Sequence, residues 1–272
     1  MRALTFAPRY LRRTVDGIGG PAAALWRERD LLGLLFRRDL RIRTSGTLLG
    51  GVWMFAQPAL QVVAYWFLLE LVLGVRFPGA VPFVDYFLVG IVAWLMIADV
   101  LNRSLAVLGE FAPLYARAVF PLPILPLLPA LVSGAVYAVA YTAVIAVVKG
   151  PGAALLAPGV ILVLLLWLVP LCYLLALVGV FLRDLAQVFP FLITMTFFLT
   201  PILYMPEMLP EAMQAAMVFN PFADLMALVH GVLQGTEVTL GNVLRPLALW
   251  LLLLGPAWVL FHRAVPHVRE AL

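Results

Sequence analysis

The residues in this sequence that are best suited to binding an anion are arginines clustered near the N-terminus. Ten of the eighteen Lys and Arg residues precede Thr44, and the last four of them are Arg37, Arg38, Arg41 and Arg43. A guanidinium group can bind phosphate oxygens through two parallel hydrogen bonds. The cluster could therefore meet an anionic substrate, a partner subunit or lipid headgroups, and its spacing alone favours lipid headgroups.

These arginines adjoin an apolar segment of bilayer length, since the residues from Thr44 to Leu69 carry no charge. Over the whole chain 64% of residues are hydrophobic and 12% are charged, against about 25% charged in soluble domains. An integral membrane protein is predicted. The net charge of +4 then reflects the positive-inside rule and requires no nucleic-acid partner. Residues 1–24 are predicted to form a basic cytoplasmic tail, and residues 25–44 a helix at the cytoplasmic interface.

The predicted fold class is an all-α integral membrane protein whose residues 45–272 form a single transmembrane domain. An apolar helix of about twenty residues crosses the hydrocarbon core, and six stretches qualify. The predicted spans cover residues 49–73, 82–103, 121–148, 154–182, 185–206 and 246–262.

The distribution of basic residues predicts the orientation. With six spans and both termini in the cytoplasm, the outer segments hold only Arg76, Lys149 and Arg245, and the other fifteen Lys and Arg residues lie inside. This bias has the sign that the positive-inside rule requires.

Residues 207–241 are too apolar for a solvated outer loop. Asn220-Pro221 divides them into halves of about fifteen residues, each too short to span a bilayer. Two re-entrant half-helices are predicted, and Asn220 and Pro221 become candidate residues of an outer gate. The alternative is a pair of amphipathic helices on the outer leaflet.

The sequence offers no catalytic or metal-binding constellation. It lacks a P-loop, its single cysteine is Cys172, and its three histidines are far apart. The predicted spans three to five carry no charge, and Asp99 precedes Arg103 by four residues, a spacing that suits a helical ion pair. A proton-coupled transporter is therefore disfavoured, and energy for transport would come from another polypeptide.

Aromatic residues inside the spans suggest a path for sugars, because an aromatic face can stack on a sugar ring without burying a charge. Ordinary packing and interfacial belts explain such residues as well. The candidates for the path are Trp53, Tyr65, Phe197 and Tyr204.

Several motifs together resemble type-2 ABC exporter permeases of the polysaccharide and O-antigen branch. The longest is RDLRIRTSGTLLGGVW, residues 38–53, followed by Gln57-Pro58. Each motif alone is weak evidence, but all of them occur here in the same order as in that family, and this makes the resemblance specific. The others are Arg117 to Pro121 with Ile124 to Pro126, Phe181 to Asp184, Thr200 to Tyr204, and Phe219 to Pro221.

The resemblance implies a homodimer that pairs with two copies of a separate ABC ATPase in the bacterial inner membrane. The complex would move a polyprenyl-linked glycan, with ATP and Mg²⁺ bound by the partner and no cofactor on this chain. It implies that Arg37, Arg38, Arg41 and Arg43 attract the lipid pyrophosphate. The implied ATPase-docking residues are Glu110, Phe111, Tyr115, Arg117, Phe120, Arg183 and Asp184.

Other functions remain open from the sequence. The nearest is a permease of the same type that exports a drug or small lipid. A membrane anchor without transport is a second, and a membrane-embedded transferase, which would need a carboxylate facing a donor phosphate or metal, is a third.

Overall fold

The computed structural model describes residues 20–44, 50–77, 82–115, 120–182 and 184–271. Within those ranges the regular structure is entirely helical. Five of the helical segments are long and apolar enough to cross a membrane, so the chain is a multi-pass membrane protein. Of the predicted basic tail, residues 1–24, positions 1–19 lie outside the described residues.

Nine helices are numbered here in chain order. Helix α2 continues into a π-helical segment, Phe67–Val72, and a 3₁₀ segment, Leu122–Leu127, leads into α4. The nine are α1 Arg29–Thr44, α2 Trp53–Trp66, α3 Phe83–Glu110, α4 Leu128–Lys149, α5 Ala157–Phe181, α6 Leu185–Leu199, α7 Glu211–Ala216, α8 Pro221–Gln234 and α9 Leu240–Ala271.

The five membrane-length segments agree with five of the six predicted spans. They are Gly50–Val72, Phe83–Glu110, Leu122–Lys149, Pro151–Phe181 and Leu240–Val268.

The predicted fifth span, 185–206, is shorter in the structure. Helix α6 has 15 residues and is therefore about 22 Å long, less than the hydrocarbon core of about 30 Å. It ends because Thr200 precedes Pro201, and the proline ring disfavours helical backbone at the residue before it. Thr200 is accordingly extended, with φ −100° and ψ 135°.

Residues 207–241 contain two short helices that meet at a sharp bend. Helix α7 with its 3₁₀ extension, together Glu211–Phe219, meets α8 at 100°. The break falls at Asn220, whose backbone is extended and whose side chain accepts a hydrogen bond from the Phe222 N–H. Pro221 occupies the first helical position, where its missing N–H costs nothing. The bend is confirmed, and the depth of the two halves in the bilayer stays a prediction.

Helix α3 forms the centre of the bundle, and the first span lies at its edge. Within the apolar stretch of each segment, 72% of the residues of α3 are buried and none of those of Gly50–Val72 are. A second cluster of buried side chains lies at the end of the bundle that contains α1, where Leu32 and Leu35 of α1 pack with Leu125 and Phe261. The interfacial helix is thus part of the folded core.

One glycine allows α5 to approach α3 closely. A Cβ built on Gly179 would lie 1.8 Å from the Leu105 carbonyl oxygen, which is a backbone atom and cannot move aside. Gly159, in the same helix, has no atom within 4 Å of the equivalent position.

We expect Gly179→Ala to lower the free energy of unfolding by about 1–3 kcal/mol, the usual cost of overpacking a core. Thermal unfolding of the purified protein in detergent would measure the loss. Gly159→Ala is the matched control and should be neutral or slightly stabilising, because alanine is the better helix former. Equal melting temperatures for the two variants would contradict the close approach.

Candidate functional site

Four charged side chains and one hydroxyl form a cluster where α1 meets α3 and α4. Asp39 and Arg43 come from α1, Asp99 and Arg103 from α3, and Ser133 from α4. Arg103 donates to the Asp39 carboxylate at 2.5 Å, and Arg43 pairs with Asp99 at 3.4 Å and with Asp39 at 3.6 Å. The two acids and two arginines balance in charge.

Ser133 lies at the centre of this cluster and is fully buried. Its hydroxyl donates to the Asp99 carboxylate at 2.5 Å and accepts from the guanidinium groups of Arg43 and Arg103, each at 3.4 Å. One donor and two acceptor positions match the capacity of a hydroxyl group. The site therefore joins three helices through a network of hydrogen bonds and ion pairs centred on Ser133.

The predicted ion pair between Asp99 and Arg103, four residues apart on α3, is wrong. Both side chains turn toward α1, where Arg43 and Asp39 offer partners. Charged groups removed from water are stabilised by several hydrogen bonds, which a single pair along one helix does not provide.

A polar cavity of about 310 Å³ opens beside the cluster. Arg43 and Asp99 form one side of it, and Tyr137 of α4 and the first turns of α2 form the rest. Its volume is at the lower end of the 300–1,000 Å³ typical of small-molecule sites. From α2 it is lined by Trp53, Met54, Gln57, Pro58 and Gln61.

Gln57 and Gln61 are exposed in the protomer although they belong to a membrane-length segment. They are four residues apart, so both amides lie on one face of α2. An amide facing hydrocarbon without a hydrogen-bond partner costs several kcal/mol. This face of α2 therefore requires a polar partner, which can be water, a ligand or another chain.

The predicted aromatic path residues are only partly brought together. The rings of Tyr65 and Phe197 lie 5.4 Å apart, and Phe197 is buried. Trp53 lines the polar cavity. The Tyr204 hydroxyl instead donates to the Phe198 carbonyl at 3.0 Å, beyond the end of α6.

The arginines predicted to bind pyrophosphate fall into two groups. Arg37, Arg38 and Arg41 are exposed on α1, and the Arg38 guanidinium lies 5.4 Å from the centre of the Phe111 ring. Arg43 is engaged by Asp39 and Asp99.

The predicted docking residues are described in part. Glu110 and Asp184 are exposed, whereas Phe111 and Phe120 are buried in the inner cluster of side chains. Arg117 and Arg183 lie outside the described residues, as does the side chain of Tyr115.

Asn220 ties the bent pair to α6. Its amide donates to the Leu199 carbonyl and to the Thr200 hydroxyl, each at 3.1 Å. Asp224 of α8 accepts from the Arg245 Nε and from Asn242, each at 2.8 Å. These bonds join α8 to α6 and α9. Among the described residues there is no cluster of three or more potential metal ligands.

The chain is similar in sequence to permease proteins of O-antigen export systems. Two O-antigen export system permease proteins RfbA from Klebsiella pneumoniae are each 26% identical to the chain, over 209 and 203 residues. The matches cover 72% of this chain and 77% of each relative. The O-antigen export system permease protein RfbA of Myxococcus xanthus is 27% identical over 209 residues, which is 74% of this chain and 79% of that protein. No protein-family model matches.

The resemblance to O-antigen export permeases is confirmed. The sequence analysis proposed Arg43 and Trp53 as site residues, and it did not assign a role to the residues that complete the site, although Asp39 and Gln57 belong to the motif quoted for the resemblance. The missed residues are Asp39, Gln57, Gln61, Ser133 and Tyr137. The repeat of two glutamines four residues apart in an uncharged span was the available signal.

We expect Asp39→Asn to destabilise the protein by about 3 kcal/mol, because the half-buried Arg103 guanidinium loses its carboxylate and Arg43 loses one of its two. Thermal unfolding in detergent measures the change. Arg103→Gln should cost a similar amount, and the double variant should cost less than the sum of the two.

Asp30→Asn is the matched control, since Asp30 belongs to the same helix and its side chain is fully exposed. Its effect should stay within about 0.5 kcal/mol. If Asp39→Asn unfolds at the same temperature as Asp30→Asn, the cluster does not hold α1 in place.

Proposed function

We propose that this chain is the transmembrane permease subunit of an ATP-driven exporter that moves a lipid-linked polysaccharide across the bacterial inner membrane. The observation that carries the proposal is the similarity to O-antigen export system permeases over 72–74% of the chain. Two copies would assemble with two ABC ATPase subunits, and both termini would lie in the cytoplasm. ATP and Mg²⁺ would bind to the ATPase subunits.

The ion pairs of the membrane-length helices support a transport path whose energy comes from a separate polypeptide. Asp99 pairs with Arg43, and Asp85 at the other end of α3 pairs with Lys149 at 2.9 Å. A carboxylate that is held by a basic partner is a poor proton carrier, because its charged form is stabilised. ATP hydrolysis on a partner subunit would therefore supply the energy.

The inner site supports an amphiphilic substrate with a sugar headgroup. Arg37, Arg38 and Arg41, which are exposed on α1, would attract the pyrophosphate. Trp53, which is exposed, and Tyr65, which is half-buried, would offer aromatic faces to sugar rings, whereas Phe197 is buried.

The bent pair on the outer side would act as a gate. Asn220 and Pro221 form its corner, and the bonds from Asn220 to the end of α6 let a movement of α6 reach α7 and α8. A break between two helices is a natural hinge, because few residues absorb the change in backbone angles.

Co-purification with an ATPase encoded nearby tests the proposal. We expect a stable complex whose ATP hydrolysis rises several-fold when lipid-linked glycan is added. If small amphiphiles stimulate ATP hydrolysis and no glycan does, the complex is instead a drug or lipid exporter. Uphill transport on a proton gradient by vesicles that contain this chain alone would contradict an ATP-driven permease.

The docking surface can be tested at Glu110, which is exposed at the end of α3. We expect Glu110→Arg to weaken co-purification with the ATPase at least tenfold, because a like charge opposes its partner across the interface. Glu207→Arg is the control, since Glu207 is exposed at the opposite end of the bundle. Equal loss of the ATPase in both variants would contradict this docking surface.

A further inference from the structure

A large cavity lies at the end of the bundle opposite the charge cluster. Its volume is about 810 Å³, more than twice the 310 Å³ of the polar cavity beside that cluster. The wall is formed by Tyr86 at the start of α3, by both halves of the bent pair, by the segment 201–207 and by the first turns of α9. A volume of this size is typical of small-molecule sites, which range from about 300 to 1,000 Å³.

The large cavity and the charge cluster are separated by nearly the thickness of a membrane. Tyr86 precedes Arg103 by 17 residues in α3, so about 26 Å of helix lies between them at a rise of 1.5 Å per residue. The hydrocarbon core is about 30 Å thick. With α1 at the cytoplasmic surface, as in the proposed function, the large cavity lies at the outer surface.

A buried carboxylate fixes the polar side chains on one side of the large cavity. Asp224 is 3% exposed and accepts hydrogen bonds from the Arg245 Nε and from the Asn242 amide, each at 2.8 Å. Arg245 and Asn242 both line the cavity, and 40% of the Arg245 side chain is still exposed. The wall therefore presents a guanidinium group and an amide that are already held in place, which lowers the entropy lost when a ligand binds.

A second fixed polar group in the wall is the Gln234 amide. The ring of His230, which is 2% exposed, stacks on Tyr86 at 3.8 Å, and its Nδ1 lies 3.1 Å from the Gln234 Oε1. The amide nitrogen of Gln234 is also buried, and it has no hydrogen-bond partner among the residues that the structure describes. Since most buried polar groups are paired, we expect a bound molecule or an ordered water in the cavity to supply the missing acceptor.

The charge of the wall opposes the binding of an anion. The lining residues that the structure describes include the carboxylates of Glu207, Asp224 and Glu237, and among them Arg245 is the one guanidinium or ammonium group. Like charges that face each other weaken binding, so a phosphate, a pyrophosphate or an acidic sugar is disfavoured. The carboxylates are also spread around the wall, because no three potential metal ligands lie together in the described part of the chain.

A neutral sugar matches this wall in both its polar and its apolar parts. Its hydroxyl groups can donate to the carboxylates and accept from the N–H groups of amides and of a guanidinium. Its C–H faces are apolar, and the cavity is also lined by Met205, Met217, Ala223 and Ala227. An apolar lining with a few fixed polar groups is the usual composition of a ligand site.

We propose that the large cavity binds a neutral sugar residue of the exported glycan on the outer side of the membrane. Met217 precedes the corner at Asn220 and Ala223 follows it, so the bound sugar contacts both halves of the bent pair. The inference rests on the proposed function for the identity and the direction of the cargo. It adds a glycan site within one protomer that is separate from the arginines of α1.

Filling the cavity tests the site in the complex with the ATPase. The probe is the polysaccharide of the source bacterium, released from its lipid by mild acid and shortened to oligosaccharides, so that only the sugars can bind. We expect Ala227→Phe to raise the dissociation constant measured by calorimetry at least tenfold, because the ring occupies space that the sugar needs. Ala215→Phe is the matched control, since Ala215 is exposed on α7 and does not line the cavity.

Removing one polar group tests the same site without filling it. We expect Gln234→Leu to raise the dissociation constant of the oligosaccharides about tenfold, as expected from the loss of one or two neutral hydrogen bonds. Gln187→Leu is the control, because Gln187 is exposed on α6 and lies outside the cavity. Co-purification of the ATPase and the melting temperature show that each variant is folded.

The outcomes separate this site from the proposed function. If lipid-linked glycan stimulates ATP hydrolysis by the unaltered complex while the oligosaccharides bind Ala227→Phe and Ala215→Phe equally well, only the site is overturned. If lipid-linked glycan does not stimulate the unaltered complex, the proposed function fails, whereas oligosaccharide binding that Ala227→Phe abolishes would still support a sugar site. If Ala227→Phe abolishes the binding of 1,5-diaminopentane and leaves oligosaccharide binding unchanged, the cavity takes a cation and the proposal is wrong.

Discussion

The structure depends on how polar side chains are accommodated in helices that are otherwise apolar. In hydrocarbon, a charge or an amide must have a partner or face water. Asp99 meets Arg43, Asp85 meets Lys149, and Asp224 meets Arg245. Each pair joins two different helices, so the ion pairs that compensate charge also hold the bundle together.

The inner cluster gives the interfacial helix a firm connection to the spans. Helix α1 is amphipathic and could simply lie on the membrane surface, yet Asp39 and Arg43 tie it to α3 and α4. Leu32 and Leu35 add apolar contacts to the same core. A displacement of α1 is therefore transmitted to the centre of the bundle through α3.

The bundle divides into a packed centre and an open edge. Helix α3 is mostly buried, whereas the first span is not, and the Gly179 contact brings α5 against α3. Surfaces that must change their contacts during transport belong at such an edge, because rearranging a close-packed core is costly. The first span carries both exposed amides, so the polar groups without protein partners lie where a substrate or a second subunit can reach them.

The sequence by itself determined the solvent, the five long spans, the interfacial helix and the break at Asn220-Pro221. These features follow from local properties, since hydropathy over about twenty residues and the geometry of proline act within a short segment. Only the tertiary structure decided that Asp99 pairs with Arg43 and not with Arg103, and that Gln57 and Gln61 line the polar cavity beside the charge cluster. Such outcomes depend on how each helix rotates against its neighbours, and this rotation is set by packing between residues far apart in the chain.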